Sequence, residues 1–156
     1  MERPNHTLLT YGRGRVSLKK EKRKEPGLYE FLQLSGVLAA QDLDAHLAEA
    51  YLERVHKAAG ADLDMLLDLF RTRVNAGDDP VKIVKDILLP DPKLGPLART
   101  ILLLWYIGGI QNPASGDWEM MSAEHYYRAL VWKAIGAHPP TLSNGYFGHW
   151  KYPPEM

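Results

Sequence analysis

The sequence predicts an all-α protein. Three observations carry that prediction. Apolar residues recur at spacings of three and four along most of the chain after Pro26, capping residues and helix-stopping glycines punctuate those stretches, and no period-two alternation runs for more than a few residues. The expected architecture is a single bundle of about six helices over residues 26–138. A basic N-terminal arm (1–25) precedes it, and an irregular, aromatic, proline-rich C-terminal tail (139–156) follows. A chain of 156 residues that is 46% apolar and 24% charged has the composition of a globular domain, not of a disordered one.

Pro26 suits a first helical turn, and Leu28, Phe31, Leu32, Ser35 and Leu38 follow at helical spacing to about Ala40. Asp44 caps a second helix whose inner stripe is Leu47, Tyr51, Val55 and Ala58, stopped by Gly60. Asp62 starts a third, with Leu63, Leu66, Leu67, Phe70 and Val74 inward and Gly77 as its stop. Asp79-Pro80 is a cap followed by a first-position proline, ahead of Ile83, Val84, Ile87 and Leu88. The stretch from Leu89 to Pro96 holds three prolines and cannot be helical throughout.

A fifth helix is expected from about Pro96 to Ile110. After Thr100 every residue is apolar, aromatic or glycine, so the helix has no solvent face of its own. Either it is the centre of the bundle or a partner covers one side. The sixth helix is expected from Ser122 to Gly136, with Tyr126, Tyr127, Leu130, Val131, Trp132, Ala134 and Ile135 around most of its circumference. The tail beyond holds four prolines together with Tyr146, Phe147, Trp150 and Tyr152. Large aromatics on a stiff, irregular segment suit either a docking strap or a cover for the chain's own bundle.

Net charge is zero, from 19 basic and 19 acidic residues, but residues 1–25 hold eight basic side chains against three acidic ones, a balance of +5. The arm reads as solvated or laid along an acidic partner, since it lacks the interleaved aromatics of a nucleic-acid binder. The chain has no cysteine, which excludes disulfides, thiolate zinc, iron–sulfur ligation and c-type haem attachment within it. Its longest apolar run, Ile101 to Ile110, is too short to cross a bilayer as a helix. Six histidines are scattered without a metal-ligand spacing, and neither a nucleophile elbow, a phosphate-binding loop nor a dinucleotide fingerprint is present. No catalytic, cofactor-binding or metal-binding residue is nominated. Composition and spacing point to a helper or interaction protein.

Three ordered segments resemble a known family. They are Phe31-Leu32-Gln33-Leu34-Ser35 with the Leu43-Asp44 region, then Leu104-Trp105-Tyr106-Ile107-Gly108, then Tyr126-x-x-Ala129-Leu130-x-Trp132, followed by Pro139-Pro140 and Gly145-Tyr146-x-x-x-Trp150. In this order they resemble the small subunit of bacterial membrane-bound, FAD-dependent sugar and polyol dehydrogenases of the sorbitol, fructose and glucose type. The resemblance implies a large subunit, similar to glucose-methanol-choline oxidoreductases, that holds FAD and in some members an iron–sulfur cluster. It also implies a multi-haem cytochrome subunit and a periplasmic location. The small subunit would bind no cofactor, support maturation of the large one, and typically carry a twin-arginine signal; residues 1–25 contain neither that pair nor an apolar signal core.

On this reading the candidate partner-binding set is Trp105, Tyr106, Tyr126, Trp132, Tyr146 and Trp150, with Trp105, Tyr126 and Trp132 open to the alternative of internal packing. Two competing readings are weighed against it. One is a self-contained α-helical enzyme or ligand binder with Arg128, His125 and Asn112 beside the fifth helix. The other is a helical nucleic-acid binder using the basic arm.

Overall fold

The structure, a computed structural model, describes residues 9–11, 14–16, 27–111 and 116–139. The all-α expectation holds, and the chain divides into two compact units, Met1–Gly95 and Pro96–Met156.

In the first unit, β1 (Leu9–Tyr11) and β2 (Gly14–Val16) form an antiparallel pair with Thr10 opposite Arg15. Helix α1 (Leu28–Ala39) buries Phe31, Leu32, Leu34, Ser35 and Ala39. It ends where Ala40 turns left-handed (φ 54°, ψ 33°) and the Gln41 N–H reaches back to the Gly36 carbonyl at 3.3 Å. That closing geometry is one glycine ordinarily supplies.

Helix α2 (Ala45–Asn75) starts at Asp44, whose side chain accepts the His46 N–H at 2.8 Å. The two helices expected on either side of Gly60 are present as the two arms of this run, meeting at a kink where Ala59 leaves helical geometry (φ −147°, ψ 37°). The break falls one residue before the expected stop at Gly60. Leu47, Tyr51, Val55, Leu63, Leu66, Leu67 and Phe70 line the buried side on both arms. Ala58, expected inward, is exposed where the bend begins.

The Asp79-Pro80 start is realised: the Asp79 carboxylate accepts the Lys82 N–H at 3.0 Å and opens α3 (Pro80–Lys82). The chain then widens into a π-helical turn, Ile83–Leu88, marked by the Leu89 N–H bonding the Val84 carbonyl five residues back at 2.9 Å. Ile83, Val84 and Leu88 stay buried while Lys85 and Asp86 bulge outward. α1, α2, α3 and the π turn pack on one another to make this unit's core.

Helix α4 (Leu94–Ile107) begins two residues before the expected Pro96. Asp91 is the cause: its Oδ1 accepts the Lys93 and Leu94 N–H groups, both at 2.8 Å. These bonds hold the Asp91 carboxyl below the usual carboxylate pKa. Gly95 follows in a place without room for a side chain, since a Cβ there would lie 2.5 Å from the Leu89 carbonyl oxygen.

In the second unit α4 buries Ala98, Ile101, Leu104 and Trp105. The helix expected to run on to Ile110 stops at Ile107. Gly108 turns left-handed (φ 76°), and β3 (Gly109–Gln111) pairs antiparallel with β4 (Trp118–Met120). The single helix expected over Ser122–Gly136 is likewise two short ones, α5 (Ala123–Tyr127) and α6 (Leu130–Ala134). Between them Ala129 is extended (ψ 138°). The Trp132 indole N–H donates to the Tyr126 carbonyl at 2.7 Å, an acceptor that an unbroken helix would give to the Leu130 N–H.

Candidate partner interface

The second unit holds the four aromatic candidates that fall within the described residues. Trp105 sits on the buried side of α4, 2% exposed, and Tyr106 beside it is half-buried. Tyr126 and Trp132 are brought together edge-to-face, with ring centroids 5.2 Å apart at 83°, and Tyr127 joins at 5.7 Å from Tyr126. The indole-to-carbonyl bond locks that cluster across the α5–α6 break, so packing and hydrogen bonding fix the same two residues. Tyr146 and Trp150 lie outside the described residues, as does Asn112. Arg128 pairs with Glu124 at 3.2 Å, one turn earlier.

The outward apolar surface comes from residues the sequence reading did not single out. The register sets Gly109 opposite Met120, Ile110 opposite Glu119 and Gln111 opposite Trp118. Side chains alternate faces along a strand, so Trp118 and Met120 share one face with Gly109 and Gln111, and Ile110 takes the other. Ile110 is buried at 7%, whereas Trp118 is 45% and Met120 41% exposed. Gly109 makes room for Met120 to lie across the strand: a Cβ there would come 2.8 Å from the Met120 sulfur. Leu103 on α4 (46%) and Ile135 beyond α6 (62%) are also open.

What holds the hairpin in place is a tight junction after α4. The Met121 N–H bonds the Gly108 carbonyl at 2.9 Å, and a Cβ on Gly108 would sit 2.7 Å from the His125 carbonyl carbon and oxygen. Ser122 caps α5, accepting the His125 N–H at 3.3 Å, with its Oγ 2.7 Å from the His125 Nδ1.

The described residues do not fit a flavin dinucleotide. They contain only two-stranded antiparallel sheets, with no parallel strand–helix–strand unit whose glycine turn could cradle a pyrophosphate. In the first unit a shallow notch of about 190 Å³ is lined by Arg73, Asp78, Asp79, Lys82, Ile83, Asp86 and Ile87. It is smaller than the roughly 300–1,000 Å³ of ligand pockets. Among the described residues no three histidine, aspartate or glutamate side chains converge as metal ligands, and no helix is long and apolar enough to cross a membrane.

Residues 6–154 match a family model described as membrane bound FAD containing D-sorbitol dehydrogenase. Among curated proteins none matches the chain.

Proposed function

The chain belongs to the membrane-bound, FAD-containing D-sorbitol dehydrogenase family, and we propose that it serves there as the non-catalytic small subunit, binding the FAD-bearing subunit, supporting its maturation and stabilising it. The substrate class is a sugar or polyol of the sorbitol, glucose or fructose type, oxidised on the larger subunit, and the assembly works on the periplasmic side of the inner membrane. Membrane attachment then comes through the complex.

The observation that carries this reading is the open face of the β3–β4 hairpin. Trp118 and Met120 stand side by side, outward, on β4 of a hairpin whose opposite face is anchored by buried Ile110 of β3. Tryptophan is the residue most enriched among binding hot spots, and methionine adapts its shape to a partner surface. The misfit of the described residues to a dinucleotide supports placing FAD in the companion. The half-buried Tyr126–Trp132 cluster supports the neighbouring surface, and the tail residues Tyr146 and Trp150 complete the proposed contact set.

The test is co-expression of the tagged chain with its flavoprotein. Co-elution with flavin absorbance and sugar-dependent dye reduction is the expected result, and Trp118→Ala should weaken assembly by about 2 kcal/mol or more, roughly 30-fold in Kd. Full flavin loading and activity of the large subunit expressed alone would overturn the maturation role. Flavin bound to the isolated small chain would overturn its non-catalytic one.

A further inference from the structure

We propose that residues 150–152 of the C-terminal tail add to the outer edge of β4 as a third, antiparallel strand, with Lys151 opposite Glu119. The phase of the hairpin ladder defines that edge. The bond from the Met121 N–H to the Gly108 carbonyl continues the register one step beyond Gly109 and Met120. Hydrogen-bonded and non-hydrogen-bonded pairs alternate along an antiparallel ladder, so Ile110 and Glu119 exchange their backbone groups with each other. Trp118 and Met120 therefore turn their N–H and C=O groups away from β3, and among the described residues neither makes a backbone bond elsewhere. All three residues of β4 are exposed, whereas Gly109 and Ile110 of β3 are buried. A lone two-stranded pair is marginal in water, and a bare edge is a template for another strand.

Chain length, charge and side-chain pattern name the occupant. Residues 150–152 lie outside the described residues; their sequence is Trp150-Lys151-Tyr152, followed by Pro153-Pro154. Ten residues separate Pro139 from Trp150, enough to span roughly 33 Å when extended. The distance to cover is short, since α5 packs on β4 and the Trp132 indole holds α6 to the end of α5. With Lys151 opposite Glu119, Trp118 pairs with Tyr152 and Met120 with Trp150, each through its outward backbone groups. Alternation then sets Trp150 and Tyr152 on the face of Trp118 and Met120. On the other face it sets the Lys151 ammonium beside the exposed Glu119 carboxylate. Pro154, with no N–H to give, ends the ladder at the next bonded position. Both strands belong to Pro96–Met156, so the proposal is independent of the dehydrogenase role, and the added strand widens the open face without covering it.

Nuclear magnetic resonance on the full chain tests the strand. The expected result is a nuclear Overhauser contact between the Glu119 and Lys151 α-protons, which a non-hydrogen-bonded antiparallel pair brings close together. The Trp118 and Met120 amides should exchange at least about tenfold more slowly than in Tyr152→Pro, which lacks the N–H directed at the Trp118 carbonyl. Helical circular dichroism should be the same in both proteins. Lys151→Glu should weaken the contact and the protection, and adding Glu119→Lys should restore both. Trp118 and Met120 amides that exchange alike in wild type and Tyr152→Pro would overturn the proposal. So would protection that grows with protein concentration, the mark of a second copy on the edge, or that arises only with the flavoprotein bound.

Discussion

Replacing Gly108 by alanine separates the observed end of α4 from the longer helix its sequence invites. If residues 101–110 were one helix, alanine in place of glycine would stabilise it by about 1 kcal/mol. In the structure the sign reverses. Gly108 has φ 76°, which costs an L-residue roughly 1–2 kcal/mol. The new Cβ would also stand 2.7 Å from the His125 carbonyl carbon and 2.9 Å from the Tyr126 nitrogen. These are backbone atoms, which give way only if α5 moves, and such overpacking costs about 1–3 kcal/mol. The expected loss is therefore about 3 kcal/mol. The four tryptophans, at 105, 118, 132 and 150, all lie within Pro96–Met156, so tryptophan fluorescence in a urea titration reports that unit by itself. With a slope near 2 kcal/mol per molar urea, the midpoint should fall by roughly 1.5 M. An unchanged or raised midpoint would refute the left-handed junction, and with it the outward hairpin face.

Three further outcomes follow from the first unit and the start of α4. Ala40→Gly relieves the left-handed closure of α1 and should raise stability by about 1 kcal/mol, read as a higher urea midpoint by far-ultraviolet circular dichroism. Burial pushes the Tyr51 hydroxyl up to about 12. Below about pH 10 it is neutral folded or unfolded; above that only the unfolded chain ionises, so stability falls toward pH 12 by up to about 1.4 kcal/mol per pH unit. Tyr51→Phe should remove one proton's worth of that slope, and the difference from wild type excludes the contribution of Tyr29, which burial and Glu30 also raise. Asp91, with its pKa lowered by the Leu94 and Lys93 amides, supports α4 above the ordinary carboxylate value near 4 and loses that support as pH falls through its lowered value. Asp91→Asn should be less stable than wild type at neutral pH, the gap closing in acid; a gap constant down to about pH 2 would contradict the ionised cap.

Much of the first unit was legible in the sequence, because each signal there is local. Asp44 and Asp79-Pro80 cap as their chemistry dictates, and the inward stripes from Phe31 to Leu88 are mostly the buried ones. The second unit was less so. Strands of three residues are too short to show period two, and Gly108-Gly109 is equally readable as a close approach or a stop. At the α5–α6 break the Tyr126 carbonyl accepts both the Trp132 indole N–H and the Ala129 N–H, a side-chain contact that helix propensity does not register. The exposed pair Trp118 and Met120 emerges only once the register with β3 assigns each strand its faces. Aromatic content drew attention instead to Trp105, which the fold buries.

The wide turn at Ile83–Leu88 is what results when one residue is slipped into a helix whose ends are already pinned. Asp79 and Pro80 pin one end, and Gly95, pressed on the Leu88 and Leu89 carbonyls, pins the other. Shortening most helices by one residue rotates everything beyond by about 100° and drags apolar side chains into water. Here the removal of Lys85 or Asp86, both outward, would draw the backbone back to ordinary pitch with Ile83 and Leu88 still seated. The molecule keeps its slack at this point, and a chain one residue shorter there would carry the same core.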